Sequence, residues 1–171
     1  MSTPINSYST SGTGSATGGA PIVGAERWRS DGPGPEIMDA ATLIGDTVVN
    51  SSGEDLGKIE AIMLDVTAGR IAYAVLSFGG FLGMGSKYFA IPWSAFTLDA
   101  GEKRFILGVS KDRLETAPGF DKDHWPSMAD PTWATEVHAY YDVTPYWDDN
   151  NLDTARDRRS TPDELTTPRI Y

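Results

Sequence analysis

Six short runs of β-type residues, with turn residues and no helical stretch between them, occupy the chain from Leu43 to Val109. They are Leu43–Val49, Lys58–Val66, Ile71–Phe78, Lys87–Trp93, Phe96–Asp99 and Arg104–Val109. The breaks carry turn chemistry: Asn50-Ser51-Ser52-Gly53, Thr67-Ala68-Gly69-Arg70, the glycine-rich Gly79–Gly85, and Ala100-Gly101-Glu102-Lys103. Phe105, Leu107 and Val109 alternate with Arg104, Ile106 and Gly108, the two-residue period of a strand with one buried face. Short strands following one another without intervening helices favour a barrel or a sandwich. In a sheet this small, closing the barrel removes the unpaired edges. The expectation is a mainly β protein built on a small antiparallel β-barrel.

The flanks differ in kind. Residues 1–36 are rich in Ser, Thr and Gly, with Ile22, Val23 and Trp28 as the anchors available; this leader is expected to be disordered. The barrel is assigned to residues 37–116, its end marked by a short helix capped by Ser110 or Asp112 and stopped by Pro118-Gly119. Residues 117–147 form a helical tail. Asp130-Pro131 opens a helix reaching about Asp142, a capping carboxylate followed by proline at the first helical position. Trp133, Val137, Tyr140 and Tyr141 share one face of that amphipathic helix, which packs on the barrel or on a partner. Residues 148–171 are polar, rich in Asp and Arg, and expected to be disordered.

Composition narrows the chemistry. The chain of 171 residues has no cysteine, which removes disulfides, thiolate nucleophiles, iron–sulfur clusters and cysteine zinc sites. Its net charge of −10 lacks the basic face that displaces counterions from phosphates, so no nucleic-acid partner is expected. Arg156, Arg158 and Arg159 are interleaved with Asp153 and Asp157. No apolar run has the length of a membrane span, and the first residues show neither the basic start nor the apolar core of a signal peptide. A cytoplasmic protein is the resulting expectation.

The order and spacing of several pieces resemble the PRC-barrel family. They are Leu43-Ile44-Gly45-Asp46 leading to Gly53–Ile59, then Leu64-Asp65-Val66 with Gly69–Leu76, then Phe78–Gly83 running through Lys87 to Ile91-Pro92-Trp93. This is the barrel of the photosynthetic reaction-centre H subunit and of a bacterial ribosome-maturation factor. The stretch from Ala117 to Trp133 is similar to the tail of small free-standing bacterial members. The H subunit's membrane helix and the ribosome factor's separate N-terminal domain have no counterpart in this sequence. The resemblance therefore implies the fold and a habit of protein contact, not either specific role.

No catalytic, cofactor or metal constellation emerges. Gly80–Lys87 suggests a phosphate loop, but Ser86 precedes Lys87 and the loop joins two strands instead of opening a helix. Asp121, Asp123 and His124 make an incomplete oxygen and nitrogen cluster, and Asp148–Asp153 lacks the glycine and terminal glutamate of a calcium loop. His138 falls at the edge of the helix's apolar face and is expected half-exposed. Trp93 is expected at the barrel rim, with Trp125 and Trp133 pinning the tail. The expected contact residues are Phe81, Leu82 and Met84 on the glycine-rich loop, together with Trp133, Val137, Tyr140 and Tyr141 on the helix. These features suggest a non-catalytic protein-interaction or scaffold module that binds a protein partner or itself as a homo-oligomer. The alternatives are a soluble accessory subunit of a photosynthetic or electron-transfer complex and a small-ligand or metal-binding stress protein.

Overall fold

A computed structural model describes residues 19–24, 37–79 and 85–148. Seven strands form one sheet: β1 (Ile22–Val23), β2 (Thr47–Val49), β3 (Asp55–Asp65), β4 (Arg70–Phe78), β5 (Lys87–Pro92), β6 (Phe96–Asp99) and β7 (Arg104–Leu107). Their spatial order is β1-β6-β7-β2-β3-β4-β5. Three α-helices, α1 (Ala40–Leu43), α2 (Lys111–Glu115) and α3 (Pro131–Tyr140), and a 3-10 turn at Trp93–Ala95 complete the described elements.

The expected all-antiparallel closed barrel is corrected in two respects. β2 runs parallel to β7, with Val48 beside Phe105, and β1 runs parallel to β6, so the sheet is mixed. The sheet also stays open: its two edge strands, β5 and β1, do not pair with each other. Pro92, which has no N–H to donate, ends β5, and a 3-10 turn at Trp93–Ala95 carries the chain away before Phe96 starts β6. Because that turn moves the chain across the sheet instead of folding it back as a hairpin, the β6–β7 hairpin brings β7 alongside β2 in the same direction.

Two further differences are local. The run Leu43–Val49, read as one strand, divides: Asp39 caps α1 by accepting from the Ala41 N–H at 3.0 Å, and Gly45 turns the chain at φ 91° before β2. Within the leader expected to be disordered, Ile22 and Val23 pair with Leu98 and Asp99 as β1, the Pro21 carbonyl accepting from the Leu98 N–H at 2.8 Å. A two-residue strand uses main-chain groups that polar composition does not reveal. Trp28 lies outside the described residues.

The turns follow their chemistry closely. Asn50 accepts from the Ser52 and Glu54 N–H groups at 3.0 and 2.9 Å. Gly69, at φ 66°, closes the β3–β4 hairpin with its N–H on the Asp65 carbonyl at 2.8 Å. Gly57 bends β3 at φ 121°, and a Cβ there would lie 2.0 Å from the Ser77 carbonyl oxygen, so only glycine fits.

The strands β4 and β5 are buried on both faces. By strand alternation and register, Ala72, Ala74, Leu76, Phe89 and Ile91 share one face. They join Val48, Leu56, Ile59, Phe96, Phe105, Leu107 and Leu114 in the core cluster. Tyr73, Val75, Tyr88 and Ala90 occupy the opposite face, which the tail covers. The continuous apolar run Ile71–Leu76 reflects this double burial. α3 therefore packs on its own sheet, burying Ala134, Val137, His138 and Tyr141.

Candidate functional site

The tail is attached at defined points. Asp130 caps α3 by accepting from the Thr132 N–H at 2.8 Å, with Pro131 beside it. At the other end Asp142 takes φ 56°, and the Val143 N–H reaches the His138 carbonyl at 3.1 Å while the Asp142 N–H reaches the Ala139 carbonyl at 3.2 Å. This is a Schellman closure with aspartate in the place glycine usually takes. Arg113 of α2 clamps that end, donating to the Tyr140 carbonyl and pairing with the Asp142 carboxylate at 2.9 Å. Earlier in the tail, Phe120 bridges to Tyr88 and Trp125 stacks near both rings. Trp133 meets Tyr73 edge-on at 5.4 Å.

Beyond Asp142 the chain folds back along the sheet, and a cleft of about 560 Å³ opens between it and the β3–β4 hairpin. Met63, Tyr73, Met128, Ala134, Tyr146 and Trp147 are among its lining residues. Leu64 and Val66, also lining residues, stand on its hairpin side at 61% and 87% exposure. The Tyr146 hydroxyl donates to Asp65 Oδ2 at 3.2 Å, and the Arg70 guanidinium donates to the Tyr146 carbonyl at 2.7 Å. The Asp65 carboxyl is held below the ordinary aspartate value, chiefly by the Ala68 N–H and further by the Tyr146 hydroxyl. Burial, and then the nearby Asp65 charge, push the Tyr146 phenol upward, so it stays protonated as the donor.

Behind this wall lies His138, 1% exposed. Its Nδ1 is 2.8 Å from the Ala134 carbonyl, which assigns the proton to that nitrogen. Rings surround it: Trp147 at 4.9 Å, Tyr73 at 5.5 Å and Tyr146 at 5.9 Å. Nε2 and the Tyr73 hydroxyl are buried without a hydrogen-bond partner. Burial lowers the His138 pKa, against the opposing effects of the Ala134 hydrogen bond and of Asp148.

The expected contact residues are distributed unevenly. Phe81, Leu82 and Met84 lie outside the described residues. Val137 and Tyr141 are buried in the core cluster, while Trp133 and Tyr140 are half-buried against it. His138, expected half-exposed, is buried because Val143–Trp147, which has no helical period, returns over it. The buried face of α3 is thereby shifted toward Ala134 and His138. Sequence reading missed the cleft; its available signals were the aromatic pair Tyr146-Trp147 after Pro145 and the apolar Leu64 and Val66 beside a tight turn.

Lys87, the lysine of the phosphate-like loop, instead reaches the Ala117 carbonyl at 3.4 Å and lies over the Phe89 ring. Asp121, Asp123 and His124 are exposed. No group of three or more metal-ligating side chains occurs among the described residues. No described helix is long and apolar enough to cross a membrane.

No curated protein matches the chain. Among solved structures, a putative 16S ribosomal RNA processing protein RimM from Pseudomonas aeruginosa is 17% identical, covers 50% of this chain and 49% of its own, and has a TM-score of 0.32. The chain thus spans about half the length of that structure, and the likeness is too slight to carry an argument. The family model described as the PRC-barrel domain matches residues 35–114. Those bounds take in α1, β2 to β7 and most of α2, so residues 35–114 carry a PRC-barrel domain, and the tail is built onto the outer face of its sheet.

Proposed function

We propose that this protein is a non-catalytic protein-contact module that works through the cleft between the β3–β4 hairpin and the Tyr146-Trp147 segment. The observation that carries this reading is the exposure of Leu64 and Val66 beside an aromatic-lined cleft. Apolar side chains on a hairpin shoulder gain nothing in water, and a concave neighbour gives an incoming chain something to bury. The PRC-barrel domain supports the same reading, since the resemblance implies contact and not turnover. The helix face, expected from sequence to pack on the barrel or on a partner, packs largely on the protein's own core, which favours the hairpin as the contact surface. Self-association is the form tested first.

Light scattering coupled to size exclusion, on the full chain and on the Leu64→Asp/Val66→Asp variant, tests it. Assembly in the parent and a folded monomer in the variant is the expected result. If both are monomeric, a photo-crosslinker placed at position 66 decides whether another protein is the occupant. A parent that is monomeric and gives no specific crosslink overturns the reading.

A further inference from the structure

We infer that the wall of the cleft is proton-gated: protonation of His138 releases the segment Val143–Trp147 from the sheet and opens the cleft. Its functional meaning rests on the cleft being the contact surface proposed above.

The argument starts from where a second proton would go. Nδ1 already donates to the Ala134 carbonyl, so protonation must place an N–H on Nε2, which has no acceptor. The groups around the ring are Tyr73 from β4, Ala134 from α3 itself, and Tyr146 and Trp147 from the returning segment. Aromatic rings offer a cation some compensation, but less than the loss of water from a buried imidazolium. Asp148 favours the charged form but stands exposed, where solvent screens it. Asp65 and Arg70 act on the same segment through Tyr146 and do not complete a partner for Nε2. The lowered His138 pKa agrees with this balance.

The segment yields because its neighbours are held more firmly. β4 lies within the sheet, paired on both sides. α3 is capped by Asp130, anchored by Val137 and Tyr141, and clamped by Arg113. Val143–Trp147 has no strand or helix ladder. It is tied by the Val143 N–H to the His138 carbonyl, by Arg70 to the Tyr146 carbonyl, and by Tyr146 to Asp65. Local openings draw on elements of this kind. Release would let water reach Nε2 and would remove Tyr146 and Trp147 from the cleft wall.

Hydrogen–deuterium exchange on the full chain, corrected for the intrinsic effect of pH, tests the gate without any partner. From about pH 7.5 to about pH 5, protection of residues 142–148 should fall roughly tenfold or more while that of β3–β5 persists. In His138→Gln that fall should be absent. An equal fall in His138→Gln, no fall in the parent, or loss of protection across the whole sheet overturns the gate. Should the variant not fold, NMR titration of the parent's His138 ring serves instead. A midpoint below 6.5 that coincides with loss of the Val143 amide signal is expected, and a titrating ring beside an unchanged amide refutes the inference. Neither measurement depends on association, so failure of the gate leaves the contact reading standing. Failure of the position-66 tests sinks that reading without touching the gate.

Discussion

The two faces of β4 and β5 are buried in different ways. On the inner face, Ala72, Ala74, Leu76, Phe89 and Ile91 present only hydrocarbon and ring carbon. Toward the tail, Tyr73 is as inaccessible, at 2% exposure, yet its hydroxyl has no partner, and neither has His138 Nε2 or the hydroxyl of Tyr141, which caps the C-terminal end of α3. Of the buried unpartnered side-chain atoms among the described residues, the remaining one belongs to Ser94 in the 3-10 turn. A buried polar group without a partner costs about 1–3 kcal/mol, so the outer face gives back part of what its aromatic contacts contribute. Burial alone therefore does not rank the two regions. The inner face buries apolar groups alone, whereas the outer face also buries polar atoms that lack partners.

The sharpest way to break this contrast is Phe105→Ala. Phe105 is fully buried between Trp93 and Phe96, and its loss should cost about 3–5 kcal/mol in denaturant unfolding. A cost under about 1 kcal/mol would mean that the inner face is not the tightly packed one. Next comes Gly119→Ala, where a Cβ would stand 2.8 Å from the Phe89 ring and 2.9 Å from the Tyr88 carbonyl. A loss of about 1–3 kcal/mol is expected, with amide protection falling first in the tail. Equal loss of protection in tail and sheet would show that the two faces unfold as one.

A smaller effect separates the faces by pH. The folded chain favours neutral His138, while the unfolded chain takes up its proton near the ordinary value of 6.5. The unfolded state thus binds more protons in that range. The stability held by His138 is complete above about pH 6.5 and declines as pH falls toward the lowered folded-state value. Urea midpoints of the parent and of His138→Gln, measured across this window, should converge as the pH drops. Parallel curves would remove His138 from the account. Smallest of all is Tyr73→Phe, which deletes a hydroxyl that has no partner. It should leave stability unchanged or raise it by up to about 1 kcal/mol, and a clear loss would reveal a partner for that hydroxyl, such as an ordered water.

Much of the architecture is legible in the chain itself. β4, β5, β6, the N-caps of α2 and α3 and the turn at Asn50–Gly53 fall where alternation, Ser110, Asp130-Pro131 and the Asx chemistry of Asn50 place them. These features are local: a strand's period, a cap and a turn are set by residues a few positions apart. The order of those pieces also suffices to point to the PRC-barrel. The parallel pairing of β2 with β7, the strand at Ile22–Val23 and the cis packing of α3 required the folded structure, because each joins main chain or side chains far apart in sequence. The cleft and the enclosure of His138 were decided at the same level. Val143–Trp147 carries no period of its own, and its position follows from contacts to Asp65, Arg70 and Tyr73, which sequence spacing does not encode.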